Sequence, residues 1–233
     1  MGRARDVGIV VGIVAALVVV QLCIYVFGVP GSWLVLGVAV AVTIAVRLAG
    51  LSWADLGLSR HTLGRGIRWA VVIVVVVAVI AAVGVALPFT RELFRNDAYA
   101  DLPEALFAAG VLIPLQTVIG EELLFRGALL GALLRVSSTR VALGIQALLF
   151  GAWHVGSSQG LTAGNDGLRE IVGDGTFASL VGVLLAVAVT AAAGALLGWS
   201  RLRSGSLLAP MALHWAANGI GAVAAAMAWQ FTG

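Results

Sequence analysis

Apolar residues run along this chain in long unbroken stretches, without the alternation of half-buried strands or the narrow stripe of a soluble helix. Stretches at about 7–27, 32–48, 69–89, 113–134, 141–156, 177–199 and 206–230 each approach the ~20 residues that cross a ~30 Å hydrocarbon core at 1.5 Å per residue. The pattern predicts an all-α, polytopic membrane bundle of about seven transmembrane helices. A shorter apolar segment at 104–112 is expected to be re-entrant or interfacial, with Pro114 separating it from the next helix, because a proline ring suits a first helical turn.

The polar residues between these stretches carry a topology. Arg3, Arg5, Arg47, Arg60, Arg65, Arg68, Arg135, Arg140, Arg201 and Arg203 fall at one end of the expected bundle, and Arg91, Arg95 and Arg169 at the other. Acidic residues are concentrated at the arginine-poor end, so the positive-inside rule places the N-terminus in the cytoplasm and the C-terminus outside. Residues 1–233 contain no linker or charge block that marks a second domain, and one membrane domain is expected. Spacings such as Gly8 to Gly12, Gly127 to Gly131 and Gly194 to Gly198 suit close helix contact.

Composition narrows the function. The 233 residues are 61% hydrophobic and 11% charged, too few polar side chains to cover a soluble globule. All 14 basic residues are arginines, dispersed between apolar runs, and the net charge is only +3, which argues against nucleic-acid binding. The all-Arg, Ala/Val/Gly-rich usage points to a GC-rich prokaryotic genome and hence a plasma membrane. Cys23 is the sole cysteine, which excludes an intramolecular disulfide and a thiolate cluster.

Against that background a few polar residues inside the spans stand out: Glu121, Glu122, Arg126, His154, His214 and Asn218. A charge at the centre of a membrane helix costs on the order of 3 kcal/mol, so such residues face a bundle interior and mark function. Glu122 and Arg126 are four apart and can pair on one helix face. Glu121 is rotated by about 100° from its neighbour, so the same arginine does not easily neutralise both. Phe150 lies one turn before His154, predicting an imidazole beside an aromatic wall, and His214 lies one turn before Asn218. Any one of these is ordinarily interhelical glue. Together, a carboxylate, two imidazoles and an amide on three helices supply a proton acceptor, a proton donor and groups for an oxyanion.

In order and spacing these residues resemble the signature of the intramembrane CPBP proteases, also called the CAAX-protease and bacteriocin-processing or Abi family, which includes the type II CAAX prenyl endopeptidases. Its first motif, two Glu, three residues and an Arg, matches Glu121, Glu122 and Arg126; its second matches Phe150 and His154; its third matches His214 and Asn218. The stretch Ser52-Trp53-Ala54-Asp55-Leu56-Gly57-Leu58 is similar to one that many bacterial members carry before the core. The expected protease core is about 104–230, with the strongest resemblance over 113–220.

The resemblance implies peptide-bond hydrolysis of membrane-associated substrates, with Glu121 and His154 activating a water and His214 with Asn218 holding the oxyanion. It leaves the metal open. Glu121, His154 and His214 could ligate zinc, but no H-E-x-x-H helix is present to preform such a site, and the preferred reading needs no cofactor. Partners are then membrane lipid and a membrane-associated peptide or protein. A proton-coupled transporter and a non-catalytic membrane scaffold are the alternatives. An absence of evident repeats counts against the first.

Overall fold

The computed structural model describes residues 2–158 and 175–231, which are helical with no strand among them. Helices α1 (Gly2–Tyr25) and α2 (Gly31–Leu48) form a hairpin through Gly28, whose φ of +68° is a backbone conformation that favours glycine. Helix α3 (Leu63–Ala86) follows a loop at 49–62. A run of short turns over 88–101 then leads into α4 (Leu102–Val136), and α5 (Thr139–Trp153), α6 (Thr176–Ser204) and α7 (Leu208–Gln230) complete the bundle.

Among the described residues six helices, α1 to α4, α6 and α7, are long and apolar enough to cross a membrane. The stretch expected over 141–156 forms α5, of only 15 residues, about 22 Å long at 1.5 Å per residue. The seven expected spans are therefore six and one short helix. α5 stops where His154 leaves helical geometry at φ −90°, ψ 1°, and the Ser157 and Ser158 hydroxyls donate to the His154 carbonyl, the local competition that ends helices.

Pro114 does not break the chain either. Segment 104–112 and the stretch after it are one continuous helix, α4, 35 residues long. Here the backbone widens into i→i+5 hydrogen bonding over Ala108–Leu112 and Pro114–Val118. In that register Pro114 fails to donate to the Ala109 carbonyl, and the Trp215 indole N–H of α7 supplies the missing donor at 2.8 Å. A neighbouring helix thus repairs the proline defect, as membrane helices allow.

α4 lies at the centre, with every residue from Leu124 to Leu133 buried. Its glycines admit neighbours: a Cβ on Gly131 would sit 2.6 Å from the Asp55 carbonyl oxygen, and one on Gly120 3.1 Å from Val35. α5 and α6 run antiparallel in close contact through Gly151, Gly194 and Gly198, whereas a Cβ on Gly8 or Gly12 would meet nothing within 4 Å among the described residues. The outer faces are apolar and exposed, as at Val71, Val72, Val75, Val79 and Ile80 of α3, the surface a lipid solvent requires.

The arginine-rich end is fastened by the 49–62 loop. Leu51 and Leu56 are both 0% exposed and anchor it in the core. Asp55 accepts from the Ser52 amide and hydroxyl, each at 2.7 Å, and from Arg135 of α4 at 2.9 Å. Arg201 of α6 donates to the Ala54 and Asp55 carbonyls at 3.0 Å each, and the Leu207 amide, just before α7, to the Gly57 carbonyl at 2.9 Å. The Ser52–Leu58 stretch thereby ties α4, α6 and the start of α7 together.

Candidate active site

The polar residues of α4 sit where a further i→i+5 segment, Leu123–Leu129, follows the turn Ile119–Glu122. Such widened turns are frequent at functional sites. Glu122 and Arg126 are both 0% exposed and pair at 2.8 Å. The guanidinium also lies 3.9 Å from the Phe150 ring centre and donates to the Gly194 carbonyl at 3.3 Å. That carbonyl accepts from Gln146 as well, at 2.8 Å. Buried charge here is matched by charge, by hydrogen bonds and by an aromatic face, which makes its burial tolerable.

His214 of α7 reaches the same carboxylate, its Nδ1 lying 2.8 Å from Glu122 Oε1. A carboxylate paired with arginine only accepts, so Nδ1 carries the hydrogen and Nε2 is turned away from the pair. That Nε2 faces Glu121 Oε2 at 3.9 Å. The other Glu121 oxygen, Oε1, accepts from the Trp153 indole N–H of α5 at 3.1 Å, while the buried Oε2 makes no hydrogen bond among the described residues. Glu121 thus presents one held and one open oxygen toward an imidazole whose far side is clamped by Glu122 and Arg126.

His154 caps α5 with its Nδ1 2.8 Å from the Phe150 carbonyl, so its Nε2 is the open nitrogen. Its ring meets Phe150 edge-on at 4.7 Å, and His214 meets the same ring at 6.1 Å. The single aromatic wall is therefore shared by both imidazoles. The structure joins Glu121, Glu122, Arg126, Phe150 and His214 in one contact network, with His154 on its aromatic edge. Asn218 stands apart: it is exposed in an i→i+5 segment, Ala216–Ile220, and lines a cavity one turn from His214.

Among the described residues no three His, Cys, Asp or Glu side chains are placed to hold one metal ion. Of the three residues expected to ligate zinc, Trp153 engages one Glu121 oxygen and each His Nδ1 is committed to an acceptor, which leaves Glu121 Oε2 and the two Nε2 atoms open. Trp153 is the site residue that sequence reasoning passed over. The signal for it was an obligate N–H donor in an apolar span, directly before the motif histidine. Gln146 was missed for the opposite reason, its partner being a backbone carbonyl that no side-chain pattern announces.

Comparison with curated proteins and with solved structures finds no significant match. From the first turn of α4 to Ile220 of α7, a stretch holding every side chain of this network, residues 103–220 match the Rce1-like type II CAAX prenyl endopeptidases, and the chain belongs to that family of membrane proteases.

Proposed function

We propose that the protein is an intramembrane endopeptidase that hydrolyses peptide bonds of membrane-associated peptides or proteins with Glu121 as general base. The observation that carries the reading is the open Oε2 of Glu121 opposite His214 Nε2, beside a Glu122 carboxylate that Arg126 and His214 already engage through Oε1. Arg126 contributes one positive charge and the two glutamates two negative ones. One proton shared between Glu121 and His214 makes the buried cluster neutral, the state that burial favours.

With that proton on His214 Nε2, Glu121 is the base and His214 the donor. A water beside Oε2 loses a proton to Glu121 as its oxygen attacks the scissile carbonyl carbon, and the carbonyl oxygen takes up the negative charge. The His214 N–H stabilises that charge in a site of low dielectric. As the C–N bond breaks, the amine receives the proton held by Glu121, with His154 Nε2 as the shuttle. Trp153 holds the Glu121 carboxylate in place, and Glu122 with Arg126 fixes the tautomer and aim of His214. The arginine-rich end of the bundle lies in the cytoplasm.

The experiment is turnover of a fluorogenic membrane peptide by purified protein in detergent. Glu121→Gln and His154→Ala each lower kcat by about 10²–10⁴, the range for losing a general acid or base, while the variants remain folded and monodisperse. Undiminished cleavage by Glu121→Gln defeats the reading.

A further inference from the structure

On the arginine-poor side of the site lies a cavity of about 420 Å³ between α4, α7 and the 88–101 turns, a volume suited to a specific ligand. Its lining includes the exposed residues Leu93, Asn96 and Asn218 and the half-buried Thr117. Thr117 is one turn before Glu121 on α4, and Asn218 one turn after His214 on α7. These two lining residues therefore lie ~6 Å along their helices from the catalytic pair.

Its lining has a definite chemistry. The Thr117 hydroxyl and the Asn218 amide make no hydrogen bond among the described residues, and both can donate and accept, as the main chain of an extended peptide requires. Phe94, Ile113 and Ala222 supply apolar wall. Among the described residues Arg95 is the only charged one of the lining. Glu92 engages its Nη1 at 2.6 Å from an exposed position, and the guanidinium lies 5.0 Å from the Trp229 ring centre, leaving Nη2 for a ligand.

We infer that this cavity is the entrance by which substrate peptide reaches Glu121 from the arginine-poor, extracytoplasmic face, and that Arg95 selects peptides carrying a carboxylate side chain. The inference rests on the proteolytic reading for the fate of the peptide, but not for its route. Thr117 and Asn218 bring this cavity to within one helical turn of Glu121 and His214, whereas toward the cytoplasmic end α4 is buried continuously from Leu124 to Leu133. An acidic residue meeting Arg95 gains a charge-assisted contact that an isosteric amide does not.

The test is labelling of single cysteines, Ala217→Cys and separately Thr117→Cys, in a Cys23→Ser background with a membrane-impermeant maleimide in sealed vesicles of both orientations. Ala54→Cys in the opposite loop is the control. Both cavity cysteines are expected to react in right-side-out vesicles and Ala54→Cys only in inverted ones. A glutamate-containing peptide is expected to protect them at about fivefold lower concentration than its glutamine counterpart, the scale of a partly exposed ion pair, and Arg95→Gln to level the two. Reaction only from the Ala54 side, equal protection by the two peptides, or protection by anionic lipid but by neither peptide overturns the inference. Product analysis of the same samples separates the two claims: protection without cleavage sinks the hydrolytic reading and leaves the entrance standing.

Discussion

Replacing Arg126 tests the energetic core of the site. The side chain is 0% exposed, as is its partner Glu122, so Arg126→Ala leaves a carboxylate in the bundle interior with His214 as its remaining polar contact. Breaking a buried pair from one side costs about 3–5 kcal/mol. The guanidinium's position 3.9 Å from the Phe150 ring centre adds on the order of 2 kcal/mol in a desolvated setting, together with the packing of the side-chain stem. Arg126→Met separates these contributions, because it keeps much of the volume against Phe150 and removes only the charge and its hydrogen bonds. In equilibrium unfolding from mixed micelles, Arg126→Met is expected to lose ~3 kcal/mol. The double variant Glu122→Gln/Arg126→Met then recovers about 2 kcal/mol of that loss, since the neutral amide in place of the carboxylate still accepts from His214. An Arg126→Met protein within about 1 kcal/mol of wild type, or a double variant no more stable than the single, refutes the claim that this pair acts as a buried, mutually dependent unit.

Trp153→Phe keeps an aromatic ring against Phe125, now at 5.7 Å, but removes the donor to Glu121; kcat is expected to fall about tenfold or more with KM little changed and the melting temperature close to wild type, as for a lost positioning hydrogen bond. Trp215→Phe strands the Ala109 carbonyl and is expected to cost about 1–3 kcal/mol, and adding Pro114→Ala, which restores an intrahelical donor, should return part of it in the same unfolding assay. At the arginine-rich end, burial pushes the Asp55 carboxyl up, but the Ser52 amide and hydroxyl and the Arg135 guanidinium outweigh it and hold it below the ordinary 3.8. A carboxylate depressed in the folded state stabilises fully above its unfolded value and loses that contribution as pH falls through the folded one. The thermal midpoint should therefore drop between about pH 5 and pH 3 in wild type by more than in Asp55→Asn.

What the sequence disclosed followed from spacing along single helices. The pairing of Glu122 with Arg126 and the edge-on contact of Phe150 with His154 are one-turn relations, fixed once the helix is granted. The rest depended on contacts between helices. Trp153 meets Glu121 across 32 positions, and no periodicity links them. Pro114 reads as a break because its missing donor is a local fact, while the Trp215 indole that answers it lies 106 positions away from the affected carbonyl. α5 reads as a span because 141–156 is apolar throughout, yet its end is set by hydroxyls folding back on His154. Asn218 reads as a partner of His214, whereas the widened turn leaves its side chain exposed in the neighbouring cavity.

The paired residues of α4 bear on how the polypeptide is made. Because Glu122 and Arg126 neutralise one another within a single turn, that helix can leave the insertion machinery without escort from a neighbour. Two of its groups nevertheless wait for a helix made much later: the Ala109 carbonyl, which has no donor, and Glu121 Oε2, which has no imidazole to face. Consecutive residues of α7 answer them, Trp215 donating to the first and His214 lying 3.9 Å from the second. Assembly of the buried cluster is in this way timed by α7, and a nascent chain truncated before it holds the carboxylates without the imidazole they orient.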